Sequence, residues 1–198
     1  VFGNPEGGFM ALICFSNGSL AREHVKEDCG VGWDFFDGEA MATTRPGNDG
    51  KLMLPYFEPE STPLVLNPKP ASNFTSATKA ERVRAILESQ ALSMRLHSGW
   101  IEGARSRVRI TGGASACKLL RQILADVFQA EIESIAVSSS VALGSALRAA
   151  NAASGIPFSE LYAKFTAATS KTYPNPATAS LYADALSRYQ KLEAEFCK

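Results

Sequence analysis

Histidine is nearly absent: His24 and His97 are the only two in 198 residues, and they lie far apart in sequence. A histidine-based metal centre or a Ser-His-Asp triad would need a chance long-range encounter, so no metal ligand and no catalytic residue is assigned. Cys14, Cys29, Cys117 and Cys197 are scattered with no C-x-x-C pair, which excludes a zinc ribbon or a dithiol redox motif on spacing. In a core-rich domain they are expected to be reduced thiols, and the compartment cytoplasmic. Neither sign of charge is in excess, with 20 Lys+Arg against 20 Asp+Glu. No electrostatic footprint for nucleic acid or anionic membrane follows. No apolar run approaches the length of a membrane span, and the first residues carry no basic leader. The opening Val-Phe-Gly is expected of a segment cut from a longer chain.

What is present is the composition of a globular domain, 45% hydrophobic and 20% charged, long enough to bury a sizeable core as one domain or a large part of one. Residues 8–15 form a continuous apolar run that predicts a buried central strand. Asn17-Gly18 then predicts a hairpin turn, with a return strand over residues 20–25. Trp33, Phe35, Phe36 and Met41 suit a short helix. A turn at Asn48-Asp49-Gly50 precedes a third strand over residues 52–57, which Pro55 should end early or confine to an edge. Residues 58–76, with Pro59, Pro63, Pro68 and Pro70, read as a long loop. Thr78 and Glu81 make a capping box for a helix reaching about His97.

The stretch Arg107-Val108-Arg109-Ile110-Thr111-Gly112-Gly113-Ala114-Ser115 alternates as a half-buried strand and breaks at two glycines. Leu119, Leu120, Ile123, Leu124, Val127 and Phe128 then recur at helical spacing. Glycines at such a joint leave no Cβ in the way of a ligand, and the first helical amides have no internal partner. On Gly-Gly alone an ordinary strand-to-helix turn is the better reading. Residues 132–137 predict another strand. Ser138, Ser139 and Ser140 offer caps for a helix to about Ser154, and further helices are expected over residues 157–168 and 177–196. A three-stranded meander followed by α-β-α-β-α specifies an α/β domain with a mixed sheet flanked by helices. It is the element order of an actin-like, ribonuclease H-like ATPase domain.

Ile110-Thr111-Gly112-Gly113-Ala114-Ser115, Gln122-Ile123-Leu124-Ala125-Asp126 and Ala142-Leu143-Gly144-Ser145-Ala146 resemble the C-terminal domain of FGGY sugar kinases. Glu88-Ser89-Gln90-Ala91-Leu92, Phe15-Ser16-Asn17-Gly18-Ser19 and Phe57-Glu58-Pro59-Glu60-Ser61 are similar to the xylulokinase branch of eukaryotic type, and Pro157-Phe158-Ser159-Glu160-Leu161 adds a late match. The resemblance implies two actin-like domains with the active site between them. Residues 1–198 would form the C-terminal, nucleotide-binding domain, with the sugar-binding domain and the catalytic aspartate outside this chain.

By that resemblance Gly112 and Gly113 lie against ATP near its adenosine end, and Trp33 flanks the nucleotide. A base–aromatic contact of that kind contributes about 1–3 kcal/mol. Cys117 stands where relatives carry an asparagine that hydrogen-bonds adenine, and a thiol is a poor substitute. The family's usual Gly-Glu-Arg is replaced by Pro59-Glu60-Ser61. Mg²⁺ would be held mainly with the absent domain, which would also bind D-xylulose. Ribulose, gluconate or glycerol as acceptor, and a non-catalytic nucleotide-binding module, are the alternatives.

Overall fold

The computed structural model describes residues 2–4, 6–101, 106–135, 137 and 139–197. In chain order its elements are β1 (Phe2–Gly3), β2 (Phe9–Met10), α1 (Ser19–Cys29), α2 (Asp34–Asp37), α3 (Glu39–Thr43), β3 (Met53–Leu54), β4 (Ala71–Ser72) and α4 (Lys79–His97). Then come β5 (Arg107–Ile110), α5 (Lys118–Phe128), β6 (Glu131–Ile135), α6 (Ser140–Ser154), α7 (Phe158–Ala163), β7 (Ala168–Thr172) and α8 (Ala179–Phe196).

Helix α4 is the axis of the packing. It begins at the expected capping box: Thr78 Oγ1 accepts from Glu81 N at 3.2 Å, and the Glu81 carboxylate accepts from Thr78 N at 2.7 Å. Between Ala80 and Ser93 its buried residues lie on all sides, because α1, α3, α5 and α8 pack around it. A helix enclosed in this way also buries polar side chains, which then need internal partners. Glu88 Oε1 accepts from Arg84 Nη1 at 3.0 Å, from Tyr182 OH at 2.9 Å and from Gly47 N at 2.9 Å. Burial raises the Glu88 carboxyl above its ordinary pKa even against the adjacent Arg84 guanidinium. The cluster fastens α8 and the 44–50 loop to α4.

Three strands form the main sheet in the order β5-β6-β7. β5 and β6 are parallel, pairing Val108 with Ile132 and Arg109 with Glu133, and α5 makes the crossover between them. β7 runs antiparallel to β6. Val108, Ile110 and Ile132 contribute to the apolar core, as do Leu119, Leu120 and Ile123 of α5. The alternate residues of β5–β7 carry charge: Glu133 lies 3.0 Å from Arg109, 3.4 Å from Lys171 and 3.7 Å from Arg107.

Several sequence expectations are corrected here. The run 8–15 is not a buried central strand: only Phe9–Met10 pairs, with Phe2–Gly3, and Phe9 is 83% exposed. Asn17-Gly18 makes no hairpin. Gly18 is the N-cap of α1, whose buried residues Ala21, Val25 and Cys29 recur at helical spacing. The 52–57 strand is cut to Met53–Leu54, with Pro55 directly after it, and its partner is Ala71–Ser72 within the supposed loop. The 157–168 helix stops at Ala163, leaving room for β7, which the pattern did not reveal. Of the three serines expected to cap α6, Ser139 does so, its side chain accepting from Ala142 N. Ser138 lies outside the described residues, as does Ala136 of the expected 132–137 strand.

Asn17 is instead the centre of a buried polar hub. Its Oδ1 accepts from Phe57 N at 3.0 Å and Glu58 N at 2.9 Å, and its Nδ2 donates to Glu58 O at 2.8 Å. The Glu60 carboxylate accepts from Ser16 N and Ser61 N, both at 2.8 Å, and from Asn17 N at 3.0 Å. Gln90 Nε2 reaches Asn17 O at 2.7 Å, and Gln90 Oε1 accepts from Arg22 Nη1 of α1 at 2.8 Å. Burial alone would raise the Glu60 pKa, but the Asn17, Ser16 and Ser61 N–H donors outweigh it and hold it below the ordinary 4.5. The unfolded chain therefore binds this proton more readily, so the stabilisation is present above that value and is lost as the pH falls below it. Glu60→Gln is expected to cost about 1–3 kcal/mol near neutral pH, and clearly less in acid, by urea unfolding. An equal loss at both would contradict the anionic role.

Candidate functional site

The glycine joint is built from two glycines with different duties. Gly112 sits at φ +78°, a conformation closed to most side chains. Gly113 opens a single helical turn to Ala116, and no atom lies within 4 Å of where a Cβ on either glycine would stand. The turn is held from within: Ser115 N and Ser115 Oγ both donate to Gly112 O, at 3.0 and 2.7 Å. From the next helix Arg121 donates to the carbonyls of Ser115 and Ala116. The result is an ordered turn with its glycine side exposed.

Cys117 is the N-cap of α5. Its sulfur accepts from Leu120 N at 3.4 Å and donates to Asp37 Oδ1 at 3.3 Å, while Leu119 N donates to the same Asp37 oxygen at 3.0 Å. Burial, with the Asp37 carboxylate adding to it, pushes the thiol up to about 11. A carboxylate thus already occupies the positive end of the α5 dipole. Phosphate oxygens gain little there.

Asp37 closes α2, and Trp33 is the N-cap residue of the same helix. The element bearing the indole is therefore tethered to the element that follows the glycine turn. Trp33 is 49% exposed, and its ring packs against Phe36 at a centroid distance of 5.1 Å. Lys26 of α1 places its ammonium 5.2 Å from the indole centroid. Arg22 and Lys26 both lie on α1, and Arg22 is hydrogen-bonded to Gln90 of the hub.

Structure joins Cys117 to the Trp33 helix through Asp37, a residue that sequence reasoning passed over. No local pattern marks it, because its partners lie 80 and 82 residues away. Arg121 was missed for a milder reason, being one more cation on a helix. Gly144 faces open space. It lines an apolar cleft of about 190 Å³ with Thr111, Ile135, Val137, Leu143 and Leu147, at the carboxyl ends of β5 and β6. Among the described residues no group of three or more His, Cys, Asp or Glu side chains could hold a metal ion.

Residues 33–153 match the model of the FGGY family of carbohydrate kinases, C-terminal domain. The chain belongs to the FGGY family of carbohydrate kinases. It is 35% identical to the xylulose kinase of Rattus norvegicus over 206 aligned positions, covering 98% of this chain and 38% of that protein. In structure it superposes on a ligand-bound xylulose kinase from Lactobacillus acidophilus with a TM-score of 0.82 at 20% identity, over 92% of this chain and 39% of the other. A gluconate kinase from the same species gives a TM-score of 0.80 at 21% identity, over 91% and 38%. The FGGY chain thus has the actin-like ATPase fold of that family's C-terminal domain, and spans less than two-fifths of these relatives' length. No described helix is long and apolar enough to cross a membrane.

Cys117 of this FGGY chain should be chemically quiet. With its pKa near 11, its thiolate fraction at mildly alkaline pH is roughly a hundredfold below that of an ordinary exposed cysteine. Peptide-resolved alkylation is expected to modify exposed Cys14 long before Cys117. Comparable rates would show that the thiol is not held as described.

Proposed function

We propose that this chain is the nucleotide-binding part of an ATP-dependent xylulose kinase, a longer protein that transfers the γ-phosphate of ATP to D-xylulose to give D-xylulose 5-phosphate in the cytoplasm. The observation that carries the nucleotide assignment is the ordered Gly112–Gly113 turn. It is open where a Cβ would stand and is tied through Asp37 to the helix of Trp33. The xylulose assignment rests on likeness to named xylulose kinases across nearly the whole chain. Gluconate or another sugar is the alternative acceptor, since the fold matches a gluconate kinase almost as well.

In this reading Gly112 and Gly113 lie against the adenosine end, and the half-exposed Trp33 flanks the base. Asp37 keeps the phosphates from settling on the α5 terminus, so they project beyond the chain. Mg²⁺ supplies charge neutralisation when bound with the nucleotide, and the base that takes the sugar proton belongs to the other domain. This chain's task is positioning, and closure of the longer protein brings the γ-phosphate to the sugar.

Calorimetric titration with ADP is the direct test. The parent chain is expected to bind, and Gly113→Val to bind at least about tenfold more weakly, since a branched side chain would fill the open space. Equal affinities would remove the turn from the site. Xylulose-dependent ADP release by this chain alone would contradict the location of the base outside it.

A further inference from the structure

Cys117 has one hydrogen to donate and a sulfur that accepts weakly, and the fold uses both. The S–H points to Asp37 Oδ1 at 3.3 Å, and the sulfur receives Leu120 N at 3.4 Å. Two nearby amides are also committed, Ser115 N to Gly112 O and Cys117 N to Ala114 O. Asp37 itself is fixed by Leu119 N at 3.0 Å, so the carboxylate cannot swing away without uncapping α5. Trp33 is half exposed, with the Lys26 ammonium over its ring, and stacking on an indole is tolerant of base identity. A site discriminates strongly between ligand edges only where its own polar groups would otherwise be left unpaired, and Cys117 is already paired without a ligand.

Resting on the reading that this face takes a nucleotide, we propose that Asp37 is a specificity-determining residue. By taking the S–H of Cys117 it withdraws that donor from the base edge, so the chain holds purine nucleoside phosphates by stacking and distinguishes poorly between a 6-amino and a 6-oxo purine. Asp37 touches no reacting atom and acts through Cys117 alone.

Two measurements on this chain test the proposal. In the first, ATP and GTP are titrated calorimetrically into the parent and into Cys117→Asn, whose amide keeps a spare N–H after serving Asp37. The parent is expected to bind the two nucleotides within about fivefold of each other, and Cys117→Asn to widen the ratio by more than about fivefold, the worth of one hydrogen bond. A parent preference beyond that, or an unchanged ratio in the variant, overturns the inference while leaving nucleotide binding intact. Binding of neither nucleotide overturns the nucleotide reading itself. In the second, the pH profile of Cys117 alkylation is compared between the parent and Asp37→Asn, which retains an acceptor for Leu119 N. The profile, centred near 11 in the parent, is expected to move to lower pH when the charge is removed. An unmoved profile shows that Asp37 does not hold the thiol, and the proposal fails whatever the nucleotides do.

Discussion

The carboxylate of Glu60 and the amide of Asn17 hold the 16–17 and 57–61 segments together around one buried centre. Glu60 gathers the backbone N–H groups of Ser16, Asn17 and Ser61 around one buried charge, and Asn17 closes the circuit onto Phe57 and Glu58. Buried polar groups of this kind are costly when unpaired and specific when paired. Here they are paired, and α1 is consequently launched from Gly18 along α4, with Arg22 locked to Gln90.

The site itself is assembled by a second, smaller constraint of the same kind. Asp37 takes hydrogen bonds from Leu119 N and the Cys117 thiol, joining α2 to α5. Glycine provides the open surface at residues 112–113, tryptophan an exposed ring, and an acid placed at the helix terminus keeps the joint unattractive to phosphate. In the proposed function this arrangement holds the neutral end of a nucleotide. It accords with membership of a kinase family in a chain that spans under two-fifths of its relatives.

Which parts of this were legible beforehand follows from the range of the interactions. The capping box of Thr78 and Glu81 and the strand, turn and helix across residues 107–128 are specified by neighbours within a turn or two, and they appear as expected. Asn17-Gly18 misled because the side chain that would favour a hairpin is spent on amides some 40 residues away. The spacing of Ala21, Val25 and Cys29 was the local sign of helix that the apolar run before it masked. β7 has no apolar residue larger than Ala168, and is recruited by pairing with β6 and by Lys171 reaching Glu131 at 2.6 Å. The motifs around Asn17, Glu60 and Gln90 carried the family likeness in sequence; only the fold shows that all three meet in one hub.

The central claim is that the nucleotide face stands preformed on this hub. Amide hydrogen exchange, followed with and without ADP, tests it most directly. The amides of Ser16, Asn17, Phe57, Glu58 and Ser61 are expected to exchange slowly in the free chain and to be unchanged by ADP, while protection is gained around residues 112–117. Fast exchange of the hub amides in the free chain, slowed only on adding ADP, would show that the ligand organises the site and would contradict the account.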